Sequence, residues 1–369
     1  MACIAEALGM TLPGGASPPA VTADRMRIAE ATGAQAVQMA RERLTPDRIL
    51  TPAAFENALR VLLAIGGSTN GIVHLAAIAG RVGLDIDLPA LDRLGRETPV
   101  LLDLKPSGRH YMEDFHHAGG MATLLRELKP LLQLEALTVT GRTLGEEIDL
   151  AGPKFPQDVV RPLTDPIYPQ GGIAVLYGNL APGGAVIKQS AADPGLMEHE
   201  GRAVVFDNLQ DLAERIDADD LDVTAEDILV LKHIGPKGAP GMPEAGYLPI
   251  PRKLARAGVK DMVRISDGRM SGTAFGTIVL HITPEAAVGG PLAQVRSGDR
   301  IVLSVSRREL RLKVPDEELA RRFAERPVIP PTAERGYRKL FLQSVLQADQ
   351  GVDFDFLRAV AKSGRVPKD

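Results

Sequence analysis

Through the first part of the chain, apolar positions recur at helical spacing. Thr51 and Pro52 suit an N-cap and first turn, and Phe55, Leu59, Leu62 and Leu63 share one face until Gly66 and Gly67 end the run. Residues Asn70 to Val82 predict a second helix with Ile72, Leu75, Ala76 and Ala79 inward. Met121, Leu124, Leu125 and Leu128 mark a third, stopped by Pro130. Between them Val100 to Leu104 reads as a buried strand. Prolines 153, 156, 162, 166 and 169 then bias the backbone to extended geometry. A linker is expected near residues 152–170, separating domains at 1–160 and 161–369.

Beyond the linker the pattern changes to short strands. Ile173 to Tyr177, Ala185 to Lys188, Ala203 to Phe206, Ile228 to Lys232, Met262 to Ile265, Thr277 to His281, Arg300 to Val305 and Leu310 to Val314 are short apolar or β-branched runs between turn signals. Helices are expected at Leu209 to Ile216 and Asp316 to Glu325. So many short strands must bury or pair their edges, which predicts a closed or nearly closed barrel.

Composition narrows the partners. With 369 residues, the chain is long for one core and suits two domains. Its 43 basic and 47 acidic residues leave a net charge of −4, with no block of like charge to attract nucleic acid or an anionic membrane. Aromatics are 4% and Trp is absent, so stacking platforms for single strands are missing. A small molecule is the expected ligand. The start MACIAEALGM lacks the basic flank and cleavage site of a signal peptide, and a cytoplasmic home is expected.

Glycines, prolines and hydroxyls crowd residues 234–291, at the ends of expected strands, where α/β enzymes and barrels keep their chemistry. Ser271 sits in DGRMSGT directly after a strand; flanked by glycine, its oxygen could become a strong base, or it could be an ordinary turn serine. Thr273 has the same two readings. Glu244 follows a proline in GMPE and suits either one ligand of a hard cation or a solvated loop. Ser68, Thr69 and Asn70 open a helix, where they could bind an anion or simply cap it. His74 and His281 could reach a site or be structural. No GxGxxG or P-loop is present.

Taken together these stretches resemble the iron-sulfur dehydratase family, which includes dihydroxy-acid, phosphogluconate and sugar-acid dehydratases. The resemblance is carried by GGSTN at 66–70, PSG at 106–108, TVTG at 138–141, GGIAVLYGNLAPGGAVIK at 171–188, GPKGAPGMPE at 235–244, SDGRMSGT at 266–273 and PEAAVGGP at 284–291. GYLPIPRKL, RGYRKLF and DFDFL are similar to the arabinonate/xylonate branch. The resemblance implies an α/β chain: the C-terminal part of an α/β domain, followed by a swivelling β-barrel of the aconitase type.

The implied reaction turns a 2,3-dihydroxy sugar acid into a 2-keto-3-deoxy acid. A [2Fe-2S] cluster acts as Lewis acid, Mg²⁺ stabilises the enolate, and a serine alkoxide takes the C2 proton. By the same resemblance Ser271, with Thr273 beside it, is the base, Glu244 a Mg²⁺ ligand, and dimers or tetramers are implied. Family members hold the cluster through three cysteines in a leading segment. Cys3 matches a helix residue after them, so the chain is expected to lack the N-terminal cluster-binding segment and to contain no cluster ligand. It would then be completed by a separate N-terminal half, or be a non-catalytic acid-binding remnant. Dihydroxy-acid dehydratase is the alternative within the enzyme class.

Overall fold

The short apolar runs of the second half become eight strands: β1 (Ala174–Gly178), β2 (Ala181–Ile187), β3 (Glu198–Phe206), β4 (Ile228–Leu231), β5 (Arg264–Ser266), β6 (Ile278–Thr283), β7 (Arg300–Ser304) and β8 (Glu309–Leu312). The structure is a computed structural model and describes residues 1–244, 248–272, 274–325, 328 and 330–359. The strands form a closed barrel in the order β1-β2-β6-β5-β4-β3-β7-β8. Closure leaves no open edge for another chain to pair with. The helix expected at Asp316–Glu325 is present, and the one expected at Leu209 to Ile216 forms over Leu209–Arg215.

Side-chain alternation explains why β3 and β4 are buried on both faces. Ala203, Val205, Ile228 and Val230 point into the barrel core with Leu176, Ile187, Ile265 and Val279. The alternate residues Val204, Phe206, Leu229 and Leu231 pack outward with Leu212 of the helix Leu209–Arg215 and with its C-cap Ile216. Each Val, Leu, Ile or Phe side chain among them contributes about 1.5–3 kcal/mol by leaving water. The four strands β3, β4, β5 and β6 pair in parallel. Their carboxyl ends therefore emerge at one rim of the barrel, and the loops after β4, β5 and β6 meet there.

The chain divides into two compact units. One holds residues 1–67 and 78–172 with Ala359, the other residues 68–77 and 173–358. In the first, Thr51 caps the helix Pro52–Ala64, its side chain accepting the Ala54 N–H. Val61 and Ala64 of that helix share a core with Ala7, Phe115, Met121, Leu124 and Leu128. The helices Asn70–Arg81 and Gly120–Leu128 form where the spacing predicts them.

Several elements differ from expectation, among them a strand and a long helix. Val100 to Leu102 are buried, but Val100 to Leu104 build no ladder: Val100, Leu102 and Leu104 make isolated bridges to Tyr168, Val160 and His110. The Leu101 and Leu102 N–H groups both donate to Ala64 O, at the end of a helix, which keeps the bridges to residues 159–168 from extending into a continuous ladder. The helix Ala23–Glu42 has no counterpart in the sequence reading, because it buries no residue and so carries no apolar stripe.

Candidate functional site

Asp267 follows β5 directly and is fully buried. Its carboxylate accepts the Ile234 N–H (3.1 Å) from the loop after β4 and the Ala286 N–H (2.8 Å) from the loop after β6. One side chain thus ties three carboxyl-end loops together. Burial is the larger influence and lifts its pKa to about 6, against the two N–H donors that favour the charged form. Glu285, also buried, accepts N–H groups from Lys237 (2.9 and 3.0 Å) and Gly238 (2.9 Å). Gln347 clasps it twice, donating from Nε2 to the Glu285 carboxylate (2.8 Å) and accepting the Glu285 N–H on Oε1 (2.9 Å). The loop from Ile234 to Glu244 is anchored at its root by these two acids.

On this frame the dispersed sequence candidates converge. Asn70, the first residue of its helix, directs Nδ2 both to the Glu244 carboxylate and to Met270 O (3.0 Å). It thereby bridges positions 174 and 200 residues away along the chain. The Asn70 Oδ1 is buried without a hydrogen-bond partner among the described residues. Next to Met270, Ser271 is exposed. Gly272 lies so close to Ser68 that an added Cβ would sit 2.7 Å from the Ser68 Cβ, so only glycine lets the two loops touch.

Charges surround this group. Arg269 donates to Met242 O and stands 3.9 Å from the Glu244 carboxylate. His74, one helical turn after Asn70, is half-buried; desolvation first, and the Arg269 charge next, hold its pKa below the usual imidazole value. His281, at the end region of β6, is buried in a left-handed conformation (φ 57°) and its N–H donates to Gly268 O (3.1 Å). Desolvation, then Arg269, lowers its pKa to about 3, so the ring is neutral.

Ser68, Asn70, Glu244 and Ser271 are therefore placed together. Ser68 also serves the helix, its Oγ accepting the Asn70 N–H (3.2 Å), and Thr69 is buried beside it. Thr273 lies outside the described residues. A small pocket of about 30 Å³ opens next to Ser271, lined by Ser68, Thr69, Lys188 and Met270 among others. Sequence reading missed Asp267, Glu285, Arg269 and Lys188. All four stand inside the quoted motifs, but an isolated charge gives no spacing from which to infer a partner.

Glu244, as an exposed carboxylate near the unpartnered Asn70 Oδ1, offers two oxygens of the kind a hard cation takes. No group of three or more His, Cys, Asp or Glu converges among the described residues. Cys3 is the single cysteine of the sequence and is buried in the helix Ala2–Ala7. Burial first, then the Glu6 charge, pushes its thiol up to about 11, opposite to what a thiolate ligand needs.

These observations define a barrel-bearing α/β protein with a polar, oxygen-rich site at the carboxyl rim of its parallel strands. The sequence pattern of dihydroxy-acid/6-phosphogluconate dehydratase C-terminal domains matches residues 158–352, and that of the N-terminal domains matches residues 1–147. The chain belongs to this dehydratase family. The N-terminal match corrects the expectation of a missing N-terminal segment, because the N-terminal domain is represented. The chain is 51% identical over 368 residues to an L-arabonate dehydratase of Azospirillum brasilense, covering 96% of this chain and 62% of that protein. It is 50% identical to an L-arabinonate dehydratase of Rhizobium leguminosarum bv. trifolii (99% and 63% covered) and 44% identical to a dihydroxy-acid dehydratase of Methanosarcina barkeri (95% and 63%). It thus spans somewhat under two thirds of the length of these relatives. Among the described residues no helix is long and apolar enough to cross a membrane.

Proposed function

We propose that this chain carries the proton-abstracting site of a sugar-acid dehydratase, with Ser271 as the base. The observation that carries the reading is the Asn70 bridge, which sets the Ser271 loop beside Glu244 on a rim held by Asp267 and Glu285. The sugar-acid class is supported by identities of 50–51% to the arabonate and arabinonate dehydratases against 44% to the dihydroxy-acid enzyme.

The Ser271 oxygen, deprotonated, takes the proton from C2 of a 2,3-dihydroxy acid. The C2–H electron pair becomes the C2–C3 double bond as the C3–O bond breaks. The departing hydroxide takes the proton back from Ser271 and leaves as water, which restores the base. The enol then moves its hydroxyl proton to C3, giving the 2-keto-3-deoxy acid. Asn70 keeps the loop in place, and the carboxyl-rim frame keeps the reacting oxygen exposed.

Family membership implies Mg²⁺ and an iron-sulfur cluster. Glu244 and Asn70 Oδ1 fit the first; when bound there, Mg²⁺ supplies positive charge for an enolate oxygen. A buried, high-pKa thiol in a helix does not fit the second, so Cys3 is not assigned to it. Replacing Ser271 by Ala is expected to slow 2-keto-3-deoxy acid formation from L-arabinonate by about 10²–10⁴-fold, the usual worth of a positioned base. Turnover within a few-fold of the unsubstituted protein removes Ser271 from the role.

A further inference from the structure

Lys188 directly follows β2 and lines the pocket beside Ser271. Its neighbours on the wall are hydroxyls (Ser68, Thr69, Ser271) and apolar or glycine residues, with no carboxylate among the lining residues. The ammonium makes no ion pair or hydrogen bond among the described residues, although it is half-buried. Other cations of the rim are already matched. Arg269 has Glu244 and Met242 O, and Lys232 has Ala293 O (3.2 Å) and Val295 O (2.6 Å). A cation removed from water without a counter-charge is costly, so a site that keeps one in a pocket is suited to an anion arriving from outside.

The space agrees. The pocket opens to solvent, and about 30 Å³ of it admits a water-sized group, which is room for a small polar group such as a carboxylate. We propose that Lys188 binds the carboxylate of the acid substrate in the pocket beside Ser271. This rests on the dehydratase reading above and adds to it the residue that selects an acid over a neutral polyol. A carboxylate has two oxygens and about four lone-pair sites, so Lys188 and a divalent cation can share it. Desolvation alone lowers the Lys188 pKa to about 8, which leaves the ammonium mainly charged at pH 7.

The test compares binding of L-arabinonate with that of L-arabinitol, its uncharged counterpart, by titration calorimetry in Mg²⁺ buffer. The Ser271→Ala background keeps the acid from being consumed. The acid is expected to bind at least tenfold more tightly than the polyol; Lys188→Met erases that preference, and Lys188→Arg keeps part of it. A second readout leaves Lys188 in place: acetic anhydride labelling at pH 8, mapped by peptide mass spectrometry, is slowed at Lys188 by L-arabinonate and not by L-arabinitol. Unchanged preference in Lys188→Met, or labelling indifferent to the acid, overturns the inference and leaves the proposed function standing. Failure of the Lys188-containing protein to bind L-arabinonate overturns both.

Discussion

Asp267 and His281 are both withdrawn from water at the barrel rim, and each makes a separable statement about stability. Asp267 holds two N–H groups from different loops, and an amide in its place keeps one and turns its NH2 toward the other. Asp267→Asn is expected to cost about 2–3 kcal/mol, read as a lowered melting temperature by calorimetry. An unchanged melt contradicts the tie. For His281 the folded-state pKa of about 3 lies below the ordinary value of 6.5. The unfolded chain therefore binds the proton first, and the stabilisation from the neutral ring, complete above pH 6.5, is lost as pH falls toward 3. His281→Asn tolerates the left-handed backbone and removes that titration. Its melting temperature should decline less steeply from pH 7 to pH 4 than that of the unsubstituted protein, and equal slopes would refute the assignment.

At the scale of elements, the parallel set β3 to β6 matters most, since it brings three loops to one rim. Gly272 marks where one of them meets the turn at Ser68. Gly272→Ala must push the two apart by displacing backbone, so dehydration is expected to fall at least about tenfold, since small misplacements at a site cost that much or more. The melting temperature should move by only a few degrees. Full activity in this variant would show that the close approach is dispensable. The eight strands and the helices at Pro52–Ala64, Asn70–Arg81 and Gly120–Leu128 were legible because each buries a face with a clear period. The helix Ala23–Glu42 was not, having no buried face, and Val100 to Leu104 misled because buried apolar residues look alike in a strand and in an irregular segment. Ser271 and Glu244 were readable as candidates, whereas their bridge through Asn70 depends on contacts 174 and 200 residues apart, which no local pattern encodes.

For the whole molecule, the notable fact is where the chemistry is gathered. Ser68, Thr69 and Asn70 belong to the barrel unit although the chain enters that unit for only ten residues before leaving it. A 10-residue excursion, residues 68–77, thus completes a rim otherwise made from residues 173–358. The act proposed for this rim is removal of the C2 proton by the Ser271 oxygen. The most direct measurement follows deuterium from C2-deuterated L-arabinonate into solvent water. The protein with Ser271 should release it, and Ser271→Ala should release it about 10²–10⁴-fold more slowly while still binding the acid. Release by Ser271→Ala within a few-fold of the unsubstituted rate would contradict the account.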